Sequence, residues 1–280
     1  MIAGIFPPIT PPAVKAEEVF SVGGVAITNS MLASLLALAV VVILIRVMTR
    51  RLEERPGRLQ SAVEMVVGGL YNFAKGAGGS SGAVLFPLFA GLLVWLLVNN
   101  WLALVPGFGQ ILYRRGGETI PLFRAVNADF NSPLAMALMV FFLIHINGVR
   151  SHGLGYFTEF VNIPALFKGR PIDFVVGIFH TIGEFAKIIS LSFRLFANIY
   201  GGEILIGVIL GLFAPIGFIF LGLELLVVAV IQAFIFGLLA MIYISLVREH
   251  AEHPGEHGEP GTHDLTQHSA AAEPGQATAA

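Results

Sequence analysis

The chain has 280 residues, 56% of them hydrophobic and 12% charged, with no cysteine and a formal net charge of −2; its mean hydropathy is +0.82. An ordinary soluble domain carries about 25% charged residues, so that class is excluded, and the missing cysteines exclude disulfides, thiolate metal sites and cysteine nucleophiles. No basic cluster is dense enough for nucleic acid, and several apolar runs approach the ~20 residues needed to cross a hydrocarbon core of ~30 Å, so the class is an all-α integral membrane protein.

In chain order, residues 1–29 read as an arm outside the membrane, extended by its paired prolines and without the basic start and apolar core of a signal peptide. The first span covers about 30–47 and ends in a burst of charge: Arg46, Arg50, Arg51, Glu53, Glu54, Arg55 and Arg58. Residues 56–76 place Leu59, Val63, Val66, Val67, Leu70 and Phe73 at helical spacing with polar residues elsewhere, which predicts an amphipathic helix lying in the interface. The glycine-rich GAGGSSG at 76–82 reads as a flexible connector or re-entry turn; lacking a lysine and a flanking strand, it is no phosphate loop. Further spans are expected at about 85–105, 132–148, 174–213 and 217–247, making five, with the break before the last at GLFAPIG.

Lysine and arginine give the orientation. With the N-terminus outside, ten fall inside and four outside, while Lys187 and Arg194 stay within the membrane; the bias predicts a cytoplasmic C-terminus. Spans four and five raise a question of length. The forty residues from Phe174 to Phe213 would reach about 60 Å as a helix, roughly twice the hydrocarbon thickness. The pair must therefore form a long, strongly tilted helical hairpin, able to follow a curved neighbour. The tail at 248–280 is rich in Gly, Pro, Ala and charge, holds five of the eight histidines, and reads as disordered and cytoplasmic.

The candidate functional residues concentrate in Glu184 to Glu203. Glu184, Lys187, Ser190, Arg194 and Asn198 recur at three and four residues and so form one polar stripe on an otherwise apolar helix, with Glu203 about half a turn away from Arg194. Charge inside a span costs a few kcal/mol even on lenient insertion scales (about 2.5–3.5 kcal/mol), which marks an ion path or a partner charge. Arg194 keeps its proton at any relevant pH and so acts as a fixed charge; the alternative is an internal salt bridge to Glu184 or Glu203. Lys187 is either part of a path or a side chain snorkelling to the interface. Glu203, Glu224, Glu184 and His180 are the groups able to take up and release protons, though His180 could equally mark the cytoplasmic start of its helix. Gln232 lies about as far from the hairpin turn as Asn198, so an antiparallel pairing would bring it to the stripe, as part of the path or as a helix-packing contact. HTIGE lacks the second histidine of a zinc-protease helix, and no metal, cofactor or catalytic nucleophile is expected.

At these residues the sequence resembles subunit a of F-type ATP synthases. The resemblance rests on SLSFRLFANIYGGE (Ser190 to Glu203) and IQAFIF (Ile231 to Phe236), with ITNSML, GRLQSAVEMVVGGLYN and NADFNSPLAMAL in order before them. It implies a stator subunit facing a ring of c subunits and held by peripheral-stalk b subunits and lipid, in a bacterial inner membrane. The chain itself would do no ATP chemistry and would bind neither nucleotide nor nucleic acid. The arginine matching Arg194 would separate two aqueous half-channels and draw the proton off each arriving c-subunit carboxylate. Lys187, Ser190, Asn198, Glu203 and Gln232 fall on the family's polar path, and His180 stands where several relatives carry glutamate. Two positions depart. Asn100 is followed at +3 by Ala103, where some relatives are acidic, and Leu225 stands seven before Gln232, where many carry histidine or glutamate, with Glu224 one residue earlier. A secondary transporter and an intramembrane hydrolase are the competing classes; the first lacks a visible internal repeat, the second a nucleophile and base.

Overall fold

The computed structural model describes residues 15–50, 52–105, 107–115, 118–153, 155–156 and 171–252. The proline-rich start, the loop residues Glu159, Lys168 and Arg170, and the tail from 253 onward lie outside the described residues.

A short antiparallel hairpin, β1 (Glu18–Val22) and β2 (Val25–Thr28), leads into α1 (Asn29–Thr49). The Thr28 hydroxyl caps α1 by accepting the Met31 amide at 3.3 Å. Next comes α2 (Arg58–Ala77), a one-turn 3-10 segment at Gly79–Ser81, and α3 (Gly82–Leu104). A second hairpin, β3 (Leu112–Arg115) with β4 (Glu118–Pro121), leads to α4 (Asn131–His152). The chain then forms α5 (Pro171–Leu212), α6 (Ala214–Leu223), a π turn at Glu224–Val228, and α7 (Ala229–Glu252). Five of these helical stretches are long and apolar enough to cross a membrane.

The core is built where α3, α4, α5 and α7 meet, and its fully buried side chains include Phe89, Leu96, Val140, Ile144, Leu195, Phe236, Met241 and Ile244. In lipid such helices associate through close packing rather than through expulsion of water. Gly237 shows this: a Cβ there would lie 3.1 Å from the Phe89 carbonyl oxygen, so the backbones of α7 and α3 approach closely. By contrast α1 leaves Leu35, Leu38, Val42, Ile43 and Val47 exposed along most of its length.

The structure departs from the sequence expectations in several places. The paired prolines of the expected extended arm lie outside the described residues; the part next to α1 is a β-hairpin, and the start of α1 is tied down: Asn29 Nδ2 donates to the Pro121 carbonyl at 3.3 Å and Ser30 Oγ to Asp129 Oδ2 at 3.0 Å. Of the two readings of the glycine connector the structure forms the turn, and a tight one, because Cβ atoms at Gly78 and Gly82 would lie 2.6 Å from Gly82 Cα and 2.3 Å from the Ala74 carbonyl. The break after the long helix is the single residue Phe213 (φ −154°, ψ 93°), with Pro215 in the first turn of α6, so the last span starts three residues before the expected 217. Residues 248–252 are helical rather than disordered. Arg248 donates to Asn147 Oδ1 at 3.0 and 2.5 Å, and Ser245 Oγ to the Gly78 carbonyl at 2.8 Å. These contacts hold the end of α7 to α4 and to the glycine turn.

Candidate functional site

At 42 residues α5 would span about 63 Å, and it presents one long side to the outside of the subunit. Phe179, Ile182, Phe185, Ile189 and Phe193 are exposed along it, and Ser190, Arg194 and Asn198 share that exposure. The opposite side, with Ile188, Leu191, Leu195 and Ile199, packs into the core.

The single polar stripe of the sequence reading therefore divides. Glu184 is buried at 4% exposure, while Arg194 and Asn198 face outward. The cause is helical drift. Arg194 lies ten residues beyond Glu184, an angle of about 1000°, some 80° short of three full turns. The first polar residues turn into the bundle and the later ones away from it.

Glu184 accepts from Lys187 Nζ in an ion pair, and its other neighbour is His180, with Nε2 at 3.7 Å from Oε1. The Lys187 ammonium also sits 5.0 Å from the centroid of the Tyr243 ring, which draws α7 into this cluster. Arg194 makes no ion pair or hydrogen bond among the described residues, so the alternative of an internal salt bridge to Glu184 or Glu203 is not what the structure forms. It is a guanidinium standing outward in an apolar strip.

Asn198 Nδ2 donates to Gln232 Oε1 at 2.6 Å, joining α5 to α7 as the hairpin distances suggested. Gln232 is buried at 3%, and its Nε2 has no hydrogen-bond partner. One turn further along, Glu203 faces away from Arg194, and its charged neighbour is Arg124 from the segment before α4. Arg124 is itself buried and donates to the carbonyls of Lys15 at 2.8 Å and Ala128 at 3.2 Å. Beside Glu203, Gly202 faces Glu224: a Cβ on Gly202 would lie 2.6 Å from Glu224 Oε1.

The π turn bears on the departure at position 225. In it the Ala229 amide reaches back to the Glu224 carbonyl, five residues away, instead of to Leu225. One extra residue is thereby housed between Glu224 and Gln232. The eight-residue interval then spans about the rotation that seven residues span in an unbroken α-helix, and Glu224 gains the facing that Leu225 would otherwise have. The bypassed Leu225 carbonyl accepts from the Trp101 indole at 2.9 Å.

Several participants were not visible as such in the sequence. Asn100 Oδ1 accepts from Asn127 Nδ2 at 2.8 Å, and Asn100 Nδ2, Asn127 Oδ1 and Asn99 Oδ1 are buried without hydrogen-bond partners. Buried polar groups are ordinarily hydrogen-bonded, so these open amide atoms are exceptions to the rule. A pair of asparagines inside an apolar span was the available signal; Arg124, in a loop among other charges, gave none. Among the described residues no group of histidine and acidic side chains could hold a metal ion.

A protein-family model described as ATP synthase A chain matches residues 31–245. The chain is 38% identical over 230 residues to a protein named ATP synthase subunit a 1 of Syntrophotalea carbinolica, covering 81% of this chain and 87% of that one. It is 35% identical over 212 residues to ATP synthase subunit a of Geotalea uraniireducens, covering 75% and 82%. A third similar protein, ATP synthase subunit a 1 of Hahella chejuensis, is 32% identical over 228 residues, covering 80% and 86%.

Proposed function

This chain belongs to the ATP synthase subunit a family, and from that premise we propose that it is the stator carrying protons to and from the carboxylates of a c-ring. The single observation that most supports this reading is Arg194, an unpaired guanidinium in the exposed apolar strip of α5. Facing lipid alone, such a charge costs at least about 2.5–3.5 kcal/mol; facing an acidic group on a partner, it becomes an attraction. A fixed cation there would draw the proton off each arriving carboxylate and keep the two half-channels from joining. Length fits the role, since a helix of about 63 Å in a core of ~30 Å must lie strongly inclined and can follow the curve of a ring.

Two polar groupings lie on either side of Arg194 along α5. Glu184, Lys187 and His180 form one, and Glu203, Glu224 and the buried asparagines of α3 and the α4 approach form the other. We assign them to separate half-channels, the first opening to the cytoplasm and the second outward. Ser190, Asn198 and Gln232 flank the arginine between them. The N-terminal hairpin then lies outside, the C-terminus inside, and the exposed apolar side of α1 faces lipid and the peripheral-stalk b subunits. Each elementary charge crossing 100 mV supplies about 2.3 kcal/mol, so several protons must cross for each ATP made elsewhere in the complex.

The test is ATP-driven pumping and passive proton flux in inverted vesicles, comparing wild type with Arg194→Ala in assembled complex. Loss of pumping with a persistent or raised leak is expected. Unchanged pumping sinks the reading and returns the secondary-transporter class.

A further inference from the structure

Trp101 lies near the end of α3 and is 40% exposed, yet its indole N–H has a specific target on a different helix. That target is the Leu225 carbonyl, the backbone group that the π turn strips of its own donor. The coincidence has a physical sense. An α-helix that houses one extra residue leaves a carbonyl in need of an outside donor, and here the Trp101 indole supplies it. Without an outside donor the helix gains by closing back to regular α geometry. Closure would let the Ala229 amide return to Leu225, rotate Glu224 by about 100° relative to Gln232, and withdraw its carboxylate from Gly202.

We propose that Trp101 is a positioning residue for Glu224: by satisfying the Leu225 carbonyl it holds the π turn open and sets the Glu224 carboxylate against Gly202, beside Glu203. Gly202 is the complementary part, since any side chain there would meet the carboxylate at 2.6 Å. The functional consequence rests on the reading above that Glu224 carries protons; the structural consequence does not.

The experiment uses the assembled complex in inverted vesicles. Glu224→Gln tests the underlying reading by itself, and loss of pumping is expected. Trp101→Phe keeps the ring and removes the donor, and pumping is expected to fall about tenfold, the equilibrium shift that the net worth of one backbone hydrogen bond allows. Exchanging the two residues in that background (Glu224→Leu with Leu225→Glu) should restore pumping, because seven residues in a regular helix reach the facing that eight reach across a π turn. The same exchange with Trp101 intact should abolish it, an arm that stands even if Trp101→Phe fails to assemble. Because the chain has no cysteine, a structural readout is direct: Glu224→Cys and Leu225→Cys are made singly and labelled with a water-soluble maleimide. Position 224 should label faster with Trp101 present, and position 225 faster in Trp101→Phe. Wild-type pumping and labelling in Trp101→Phe, beside an inactive Glu224→Gln, overturns the proposal while sparing the proton-path reading. So does full pumping by the exchanged pair with Trp101 intact. An active Glu224→Gln with reversed labelling overturns the proton-path reading and leaves the hold on the turn in place.

Discussion

Asn198 and Gln232, 34 positions apart, meet in a 2.6 Å hydrogen bond that ties the long helix to the last one. It lies one turn beyond Arg194 on α5, so the outward-facing guanidinium is held near a fixed point of the bundle. Gln232 accepts in this bond, and its own Nε2 donor beside it has no partner. The tie therefore braces the two helices and leaves an open amide donor beside the bond.

Measured interhelical hydrogen bonds in membranes average about 0.6 kcal/mol and reach about 1.7 kcal/mol, too little to hold the fold alone. Gln232→Leu is accordingly expected to assemble normally and to lower the unfolding free energy in detergent by no more than that range. Pumping should fall by a larger factor than stability predicts. A double-mutant cycle with Asn198→Ala gives the pair energy, and additive effects on pumping would show that the two residues act separately.

The ion pair of Glu184 with Lys187 predicts an asymmetry. Glu184 is 4% exposed, while the Lys187 side chain is 32% exposed. Removing the lysine strands a buried carboxylate; removing both charges does not. Lys187→Met should therefore destabilise the subunit by about 1–3 kcal/mol, the scale for leaving one buried polar group without its partner, and Lys187→Met with Glu184→Gln should recover most of that. The check is the yield and thermal midpoint of the purified complex. Equal stability of the single and double variants would place no weight on the pair.

Backbone crowding in the glycine turn gives a prediction independent of proton transport. A Cβ on Gly82 would lie 2.3 Å from the Ala74 carbonyl, whereas one on Gly91, in the same helix, meets nothing within 4 Å. Gly82→Ala should destabilise by about 1–3 kcal/mol, the range for forced overpacking. Gly91→Ala should be neutral or slightly stabilising, given the better helix propensity of alanine. Thermal unfolding of the two variants side by side decides the matter, and equal midpoints would show that the α2–α3 turn yields easily.

The amino-acid sequence determined the class and number of the membrane helices, because runs of ~20 apolar residues have no other stable place. It also determined that Arg194 is special, since a permanent charge in such a run needs a reason. Helical periodicity carried Gln232 to Asn198, because two helices folded back at a known turn have a fixed correspondence. Tertiary structure decided what periodicity could not. The facing of Glu184 inward and Arg194 outward depends on which side of α5 the bundle covers, and three- and four-residue spacing leaves that open. Glu224 looked displaced by one residue because counting assumes an unbroken α-helix; the π turn between it and Gln232 removes the displacement. The Leu225 carbonyl in that turn accepts from an indole 124 positions away, and the charged neighbour of Glu203 is Arg124, 79 positions away. Such partners are set by how the helices pack, a property no local pattern of residues contains.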